Sequence, residues 1–266
     1  MSQQDIQTWW LDLQRTVRHD DTLEKSEIMA RHSYSFLDEI KDLPFQRVLD
    51  VGCGYGIQCR WFTQHGRQAT GITVSVSEAQ KKFARDSGYD LAIMDFEHTA
   101  FPDQTFDAVW SHHTLEHTFS PIQALLEWRR VLKDGGYLFV AMPAYESDIQ
   151  QGHYNIGFNV GRLVYLMTLC GFETKTAKFR EKNFELRAIV RRAPTVPKTC
   201  DLAELRHLFP DEVNQHWVTN QHDGFALHAF QGKIDQINWP FPPEPVPLKH
   251  RIKRAVRTVG KRLLGD

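Results

Sequence analysis

The chain has 266 residues, 41% of them hydrophobic and 24% charged, with 32 Lys and Arg against 33 Asp and Glu. That composition belongs to a globular protein with a full core and excludes a disordered or collagen-like chain. Cys53, Cys59, Cys170 and Cys200 have neither zinc-ligand spacing nor a disulfide framework, which predicts a reducing compartment, with the cytoplasm as default.

Along the chain, no apolar run approaches membrane-span length, and Met1 to Asp5 lacks the charged-then-apolar order of a signal peptide. Ile6 to Lys41 has helical spacing, with Trp9, Trp10, Leu13 and Val17 on one side, which predicts an N-terminal helical segment. An apolar run from Val48 then ends in Gly52, Gly54 and Gly56 at every second position. This pattern predicts a buried strand turning sharply into a loop whose bare backbone approaches a ligand. A helix follows from Ile57 to His65, a strand from Gln68 to Val74, and an apolar pulse from Leu91 to Met94 that closes with Asp95 and Phe96. Next come a strand from Phe106 to Ser111, a helix from Pro121 to Leu132 and, past Gly135 and Gly136, a strand from Tyr137 to Met142. A helical run from Val160 to Cys170 and two alternating stretches, Thr174 to Arg180 and Phe184 to Arg191, end the pattern. Strands joined by crossover helices predict a doubly wound α/β fold with a mostly parallel sheet, and the last two stretches predict a hairpin.

Asp50 heads the glycine loop, where its carboxylate would repel a pyrophosphate and suit a cationic ligand. A nicotinamide-dinucleotide fingerprint fits less well, because Gly56 is followed by Ile57, Gln58 and Cys59 rather than by a glycine closing into the helix. Open α/β sheets bind ligands beyond the carboxyl ends of their strands, and Asp50, Thr73, Asp95 and Ser111 fall at such ends. The loop from Asp50 to Gly56, the Asp95-Phe96 pair, the run from Ala100 to Asp107, Leu115-Glu116-His117 and the run from Arg130 to Gly136 jointly resemble one family. It is the S-adenosylmethionine-dependent methyltransferases of the Rossmann-like class, in their type 11, small-molecule group. The resemblance spans Arg47 to Arg192 and implies S-adenosylmethionine as cofactor and a seven-stranded sheet with an antiparallel edge hairpin. It also implies that Gly52, Gly54 and Gly56 lie against the cofactor's amino acid and ribose, that Asp95 and Phe96 recognise adenine and that His112 lines its methionine end, with Cys53 and Ser111 as further cofactor contacts. By the same resemblance the N-terminal segment is a lid over the crevice; a plain packing helix is the alternative. One departure is Thr73, which stands where the family usually carries an acidic residue for the ribose hydroxyls; a hydroxyl is the weaker acceptor. The string Gly71-Ile72-Thr73-Val74-Ser75 resembles the corresponding strand of lipid-modifying relatives such as cyclopropane fatty acid synthases.

His112-His113-Thr114-Leu115-Glu116-His117 follows strand four directly. His113, Glu116 and His117 match an inverted zinc-protease pattern, but that motif needs a long helix and a further carboxylate, so no metal is expected. His117 is the expected general base, oriented by Glu116 and accompanied by His113, because an imidazole can take a proton from a hydroxyl or amine as methyl transfer proceeds. The alternative is that these side chains cap the next helix. His153 and Tyr154, in a loop beyond strand five, are the expected acceptor contacts.

His216, His222 and His228 recur at six-residue intervals, unlike a metal site, and read as surface or pocket residues. Trp239 to Pro247 is a stiff, proline-rich stretch. Beyond it Leu248, Ile252, Val256, Val259 and Leu263 share one helical face. Lys249, Arg251, Lys253, Arg254, Arg257, Lys261 and Arg262 lie elsewhere on it, leaving the rest of the chain with 25 basic residues against 33 acidic. This basic amphipathic segment predicts binding to an anionic membrane surface through residues 248–264, with docking on an acidic protein surface as the alternative. It lacks interleaved aromatics, so no nucleic acid is expected. The expected organisation is 1–44 as helical lid or cap, 45–193 as cofactor-binding core, 194–238 as an extension, 239–247 as linker and 248–266 as basic amphipathic helix. The expected protein is a cytoplasmic methyltransferase, peripheral to the inner membrane face, acting on a small or lipid-linked saccharide acceptor. A lipid or quinone-type acceptor, or a scaffold that binds the cofactor without turnover, are the other readings.

Overall fold

The strand-helix alternation builds one sheet with helices on both faces. The computed structural model describes residues 22–144, 157–182, 185–222, 225–230 and 232–239, preceded by residues 4, 5, 8, 9 and 12. In chain order the first elements are α1 (Leu23–Ile40), β1 (Arg47–Val51), α2 (Ile57–Gln64), β2 (Gln68–Thr73), α3 (Glu78–Ser87), β3 (Asp90–Ile93) and β4 (Phe106–His112). A 3-10 turn (Leu115–His117), α4 (Pro121–Val131), β5 (Leu132–Pro143), α5 (Val160–Leu169), β6 (Phe172–Lys182) and β7 (Glu185–Arg192) follow. The last elements are α6 (Leu202–Leu205), α7 (Asp211–Asn214), β8 (Trp217–His222), β9 (Phe225–Phe230) and β10 (Gln236–Ile237).

The sheet runs β10-β6-β7-β5-β4-β1-β2-β3, with β8 and β9 forming a separate hairpin. Strands β1 to β5 pair in parallel, and β7 and β6 add the expected antiparallel edge. The sheet has eight strands, not the expected seven. The eighth, β10, pairs antiparallel to Phe179 and Arg180, and two residues are too short to register as a period in sequence. Ile237 is fully buried there, and Glu181 N donates to Asp235 O at 2.7 Å to lead the strand in.

Alternation along each strand sorts side chains to the two faces. Leu49, Val109, Leu138 and Val140 join one core with Trp128, Met167 and Phe179, whereas Val48, Trp110, Phe139 and Ala141 join a second with Phe36, Leu37, Ile40 and Phe62. Helix α1 is thus a component of the second core, N-capped by Thr22, whose hydroxyl accepts from Lys25 N at 3.3 Å. Leu205, Phe209 and Val213, in the extension from 194 to 238, insert into the first core. The basic segment 248–266 lies outside the described residues, as do Trp10, Leu13, Val17, His153 and Tyr154. No described helix is long and apolar enough to cross a membrane.

Candidate active site

The loop between β1 and α2 is built on left-handed backbone: φ is 75° at Gly52, 53° at Gly54 and 80° at Gly56, a region in which L side chains are strained. The three glycines answer to different neighbours. A Cβ at Gly52 would meet Thr114 Oγ1 at 2.2 Å and one at Gly56 would meet Tyr89 Oη at 1.9 Å, whereas Gly54 has no protein atom within 4 Å of that position. Gly54 therefore faces open space. Gln80, held in a capping box with Ser77, pins the loop by donating to Gly54 O at 3.0 Å.

That open space is a cavity of about 670 Å³, within the size range of small-molecule sites. Its walls are the loop (Gly52 to Tyr55), the inner face of α1 (Met29 to His32), the end of β4 (His112, His113) and the β6–β7 hairpin (Lys182, Glu185, Arg187). Helix α1 is clamped over it from two sides. Gln58 donates to Ser33 Oγ at 3.2 Å and Arg60 pairs with Glu27 at 3.1 Å; opposite, Arg187 donates to Ser35 Oγ at 3.0 Å and His32 O at 3.1 Å, and Arg180 pairs with Glu39 at 2.8 Å.

At the cavity floor lies a chain of charges. His113 Nε2 is 3.1 Å from Glu185 Oε2, and its Nδ1 is 3.2 Å from Glu116 Oε1, an ion-pair contact without hydrogen-bond geometry, since both Glu116 oxygens lack a hydrogen bond. Arg187 Nε donates to Glu185 Oε1. His112 Nε2 is 3.6 Å from Glu185 Oε2, is buried and makes no hydrogen bond. Burial works against the charged form of His113, but the close carboxylates of Glu116 and Glu185, the latter hydrogen-bonded to it, outweigh it and hold its pKa up at about 9. Burial pushes His112 down to about 3, helped by the charge on His113. Glu185 is pulled down to about 2, because His113 and Arg187 outweigh its own desolvation. His113 has φ 53°, a strained backbone for a non-glycine residue, held by its N–H to Ala141 O at 2.8 Å. Such strain persists where the surroundings over-determine it.

The structure brings Gly52, Cys53, Gly54, His112 and His113 together on this cavity. Thr73 closes β2, Ser111 lies near the end of β4 and Asp95 follows β3, along the same carboxyl edge of the sheet, but none of them lines the cavity. Asp95 accepts from Glu97 N at 2.9 Å and approaches His98 Nδ1 at 3.1 Å. The ring of Phe96 lies in the first core, with its carbonyl held by Trp128 Nε1 at 2.8 Å. Asp50 is turned inward, accepting from Cys59 Sγ at 3.2 Å, and desolvation raises its pKa to about 7. Gly56 packs against Tyr89 rather than on the cavity. The pairing of Glu116 is with His113, and neither Glu116 nor His117 lines the cavity. His117 N closes the 3-10 turn onto Thr114 O at 2.9 Å. Sequence reasoning missed Glu185 and Arg187, whose signal is two charged residues with strand period at the head of β7, ahead of the apolar run from Ala188 to Val190.

A methyltransferase-domain family model matches residues 49–140. Over 178 residues the chain is 30% identical to the ubiquinone biosynthesis O-methyltransferase of Hahella chejuensis, covering 64% of this chain and 69% of that protein. It is 33% identical over 135 residues to methyltransferase GfsG of Streptomyces halstedii, spanning 46% of this chain but only 45% of that protein's length. With the 27-O-demethylrifamycin SV methyltransferase of Amycolatopsis mediterranei it shares 29% over 161 residues, 54% of this chain and 58% of that one. Among solved structures, the cyclase SpnF superposes with a TM-score of 0.52 at 22% identity, covering 63% of this chain and 82% of SpnF. A methyltransferase of Thermotoga maritima superposes with a TM-score of 0.51 at 20% identity, covering 69% of this chain and 99% of that one.

Proposed function

The chain belongs to the Rossmann-like S-adenosylmethionine-dependent methyltransferases, and on that premise we propose that it methylates a hydroxyl of a small or amphiphilic acceptor bound against His112, His113 and Glu185. One observation carries this reading: the cavity has the bare backbone of Gly54 on one wall and this His/Glu cluster on another. The chain's residues fit the cofactor. Gly54 lets a ligand reach the backbone, Asp95 would accept from an adenine amine, and among the described residues Glu185 is the one carboxylate lining a cavity that also carries Arg31, Lys182 and Arg187. S-adenosylmethionine supplies the methyl group on a sulfonium already activated for in-line displacement. What remains for the protein is to orient the acceptor, exclude water and take a proton. Helix α1 excludes water by covering the cavity; charged His113 and Glu185 orient the hydroxyl, and His112, a neutral imidazole whose Nε2 makes no hydrogen bond, receives its proton as the new carbon–oxygen bond forms. The geometry favours His113 and its neighbours over His117 for this work.

Relatives named for O-methylation support oxygen as the acceptor atom. The lipid-like strand β2 and the basic segment 248–264 favour an acceptor presented at an anionic cytoplasmic membrane face, a lipid-linked saccharide being the first class to screen and a quinol-type phenol the second. Calorimetric titration of S-adenosylmethionine into wild type and Asp95→Ala tests the cofactor half. Losing a hydrogen bond to a charged group predicts binding weaker by roughly 10- to 100-fold. Transfer of labelled methyl to one acceptor class and not the other tests the second half. Tight cofactor binding with no transfer to any hydroxyl would leave a scaffold.

A further inference from the structure

The cluster on the cavity floor has the donors of a metal site. We propose that His112 Nε2, His113 Nε2 and Glu185 Oε2 bind one first-row divalent cation of the zinc class. One ligand atom from each of the three residues lies within 4.8 Å of the others, and Glu185 Oε2 is 3.1 Å from His113 Nε2 and 3.6 Å from His112 Nε2. A tetrahedral zinc with bonds of about 2.0–2.1 Å spaces its donors roughly 3.3 Å apart, so the two measured edges already match. Two imidazoles and one carboxylate with a remaining open position is the donor set of catalytic zinc.

Three further observations point to a ligand rather than to a closed ion-pair network. His112 Nε2 is buried without a hydrogen bond. Glu116, 1% exposed, has two carboxylate oxygens with no hydrogen bond, one of them 3.2 Å from His113 Nδ1. At that distance a small turn of the ring would let the carboxylate receive the second ring N–H of a metal-bound histidine, as outer partners of such ligands do. Arg187 holds Glu185 by Oε1, leaving Oε2 for the cation. The arrangement crosses elements: both histidines end β4 and Glu185 begins β7, neighbours of β5 on its two sides. This is why no sequence spacing displays it. The inverted zinc-protease pattern contributes only His113 as a ligand.

The charges agree with a hydroxyl acceptor. With the cation in place, Glu185, Glu116 and Arg187 leave one net positive charge, which an oxygen anion neutralises. A hydroxyl coordinated at the open position is acidified and its proton passes to solvent, so that with the cation bound the metal replaces the imidazole base named above. That consequence rests on the methyl-transfer reading; binding of the cation does not.

The test is calorimetric titration of Zn²⁺, and visible spectroscopy with Co²⁺, on chelator-treated, tag-free full chain. S-adenosylmethionine binding is measured on the same samples, so that failure of the metal and failure of the methyltransferase reading are separate results. Expected are one equivalent bound, intense visible Co²⁺ bands of low coordination number, and affinity lower by about tenfold or more in Glu185→Gln and by roughly 10- to 100-fold in Glu116→Gln, the usual cost of losing an outer partner. His228→Asn, which alters a histidine outside the cluster, should bind as wild type. Equal Zn²⁺ binding by wild type and Glu185→Gln, no stoichiometric binding, or weak octahedral Co²⁺ bands would each overturn the site. The Co²⁺ spectrum of the wild type decides even where a variant fails to fold.

Discussion

Gly54 and Gly56 stand two residues apart in one loop under different constraints. At Gly56, an added methyl collides with Tyr89 Oη at 1.9 Å on a backbone with φ 80°, so Gly56→Ala combines left-handed strain with overpacking. Its expected cost is about 2–4 kcal/mol of folding stability, read by chemical denaturation. At Gly54 only the strain applies, roughly 1 kcal/mol, because no protein atom lies near. Gly54→Ala should therefore fold and lose cofactor affinity, a split between denaturation and calorimetry that a shared structural role for the two glycines would not produce. The Gly-x-Gly-x-Gly spacing was legible in sequence; which glycine served the ligand was not, since that depended on Tyr89, more than thirty positions away. Asp50 teaches the same lesson. Read as a charge for a cationic ligand, it is instead buried against Cys59 with its pKa raised to about 7 from 3.8. Because the folded value is the higher one, its contribution is fully present below pH 3.8, declines as pH rises toward 7, and is flat above. The roughly three-unit gap corresponds to about 4 kcal/mol. The denaturation free energy of wild type should fall relative to Asp50→Asn across that window, and parallel curves would refute the assignment.

Helix α1 shows how an element acquires a functional position without a functional motif. Its sequence carries an amphipathic period, and a packing helix and a lid were both open readings; the structure places Phe36, Leu37 and Ile40 in the second core while Met29 to His32 face the cavity. What fixes it against the hairpin is charge: Arg180 and Arg187 meet Glu39 at 2.8 and 3.9 Å, all three largely buried. Removing the carboxylate leaves the buried guanidinium of Arg180 without its anion, while Arg187 keeps Glu185. Glu39→Gln is expected to cost about 3 kcal/mol, and thus to lower the melting temperature by roughly 6–12 °C in a chain of this size. Cofactor affinity should fall with it if α1 closes the cavity. A variant that melts like wild type would show that Arg180, stacked on Trp239 at 4.4 Å, needs no anion. Strands β1, β2, β4 and β5 and helices α2, α4 and α5 were legible because each is long enough to show its period. Within the stretch from 194 to 238, α6, α7 and β10 were not, since each has four residues or fewer, too few to show a period.

At the scale of the whole molecule, fold and chemistry separate. A cyclase shares this architecture, so the acceptor cannot be read from the sheet order; it must come from the cavity walls and from whatever brings acceptor and enzyme together. The segment from 248 to 264 is the strongest sequence signal for the latter, with seven basic and no acidic residues beyond a proline-rich stretch. If it lies on a membrane, each Lys or Arg near an anionic surface contributes about 1 kcal/mol, attenuated by salt. Deleting residues 248–266 should then abolish sedimentation with vesicles containing phosphatidylglycerol while leaving the melting temperature and cofactor affinity at wild-type values. Turnover of a lipid-presented acceptor should drop as the vesicle-bound fraction drops, and turnover of a soluble analogue should not. If instead the segment docks on an acidic surface of the protein's own body, which carries the compensating excess of Asp and Glu, the truncated chain loses thermal stability and the full chain ignores vesicles. The two outcomes move different observables, so one pair of proteins decides between them.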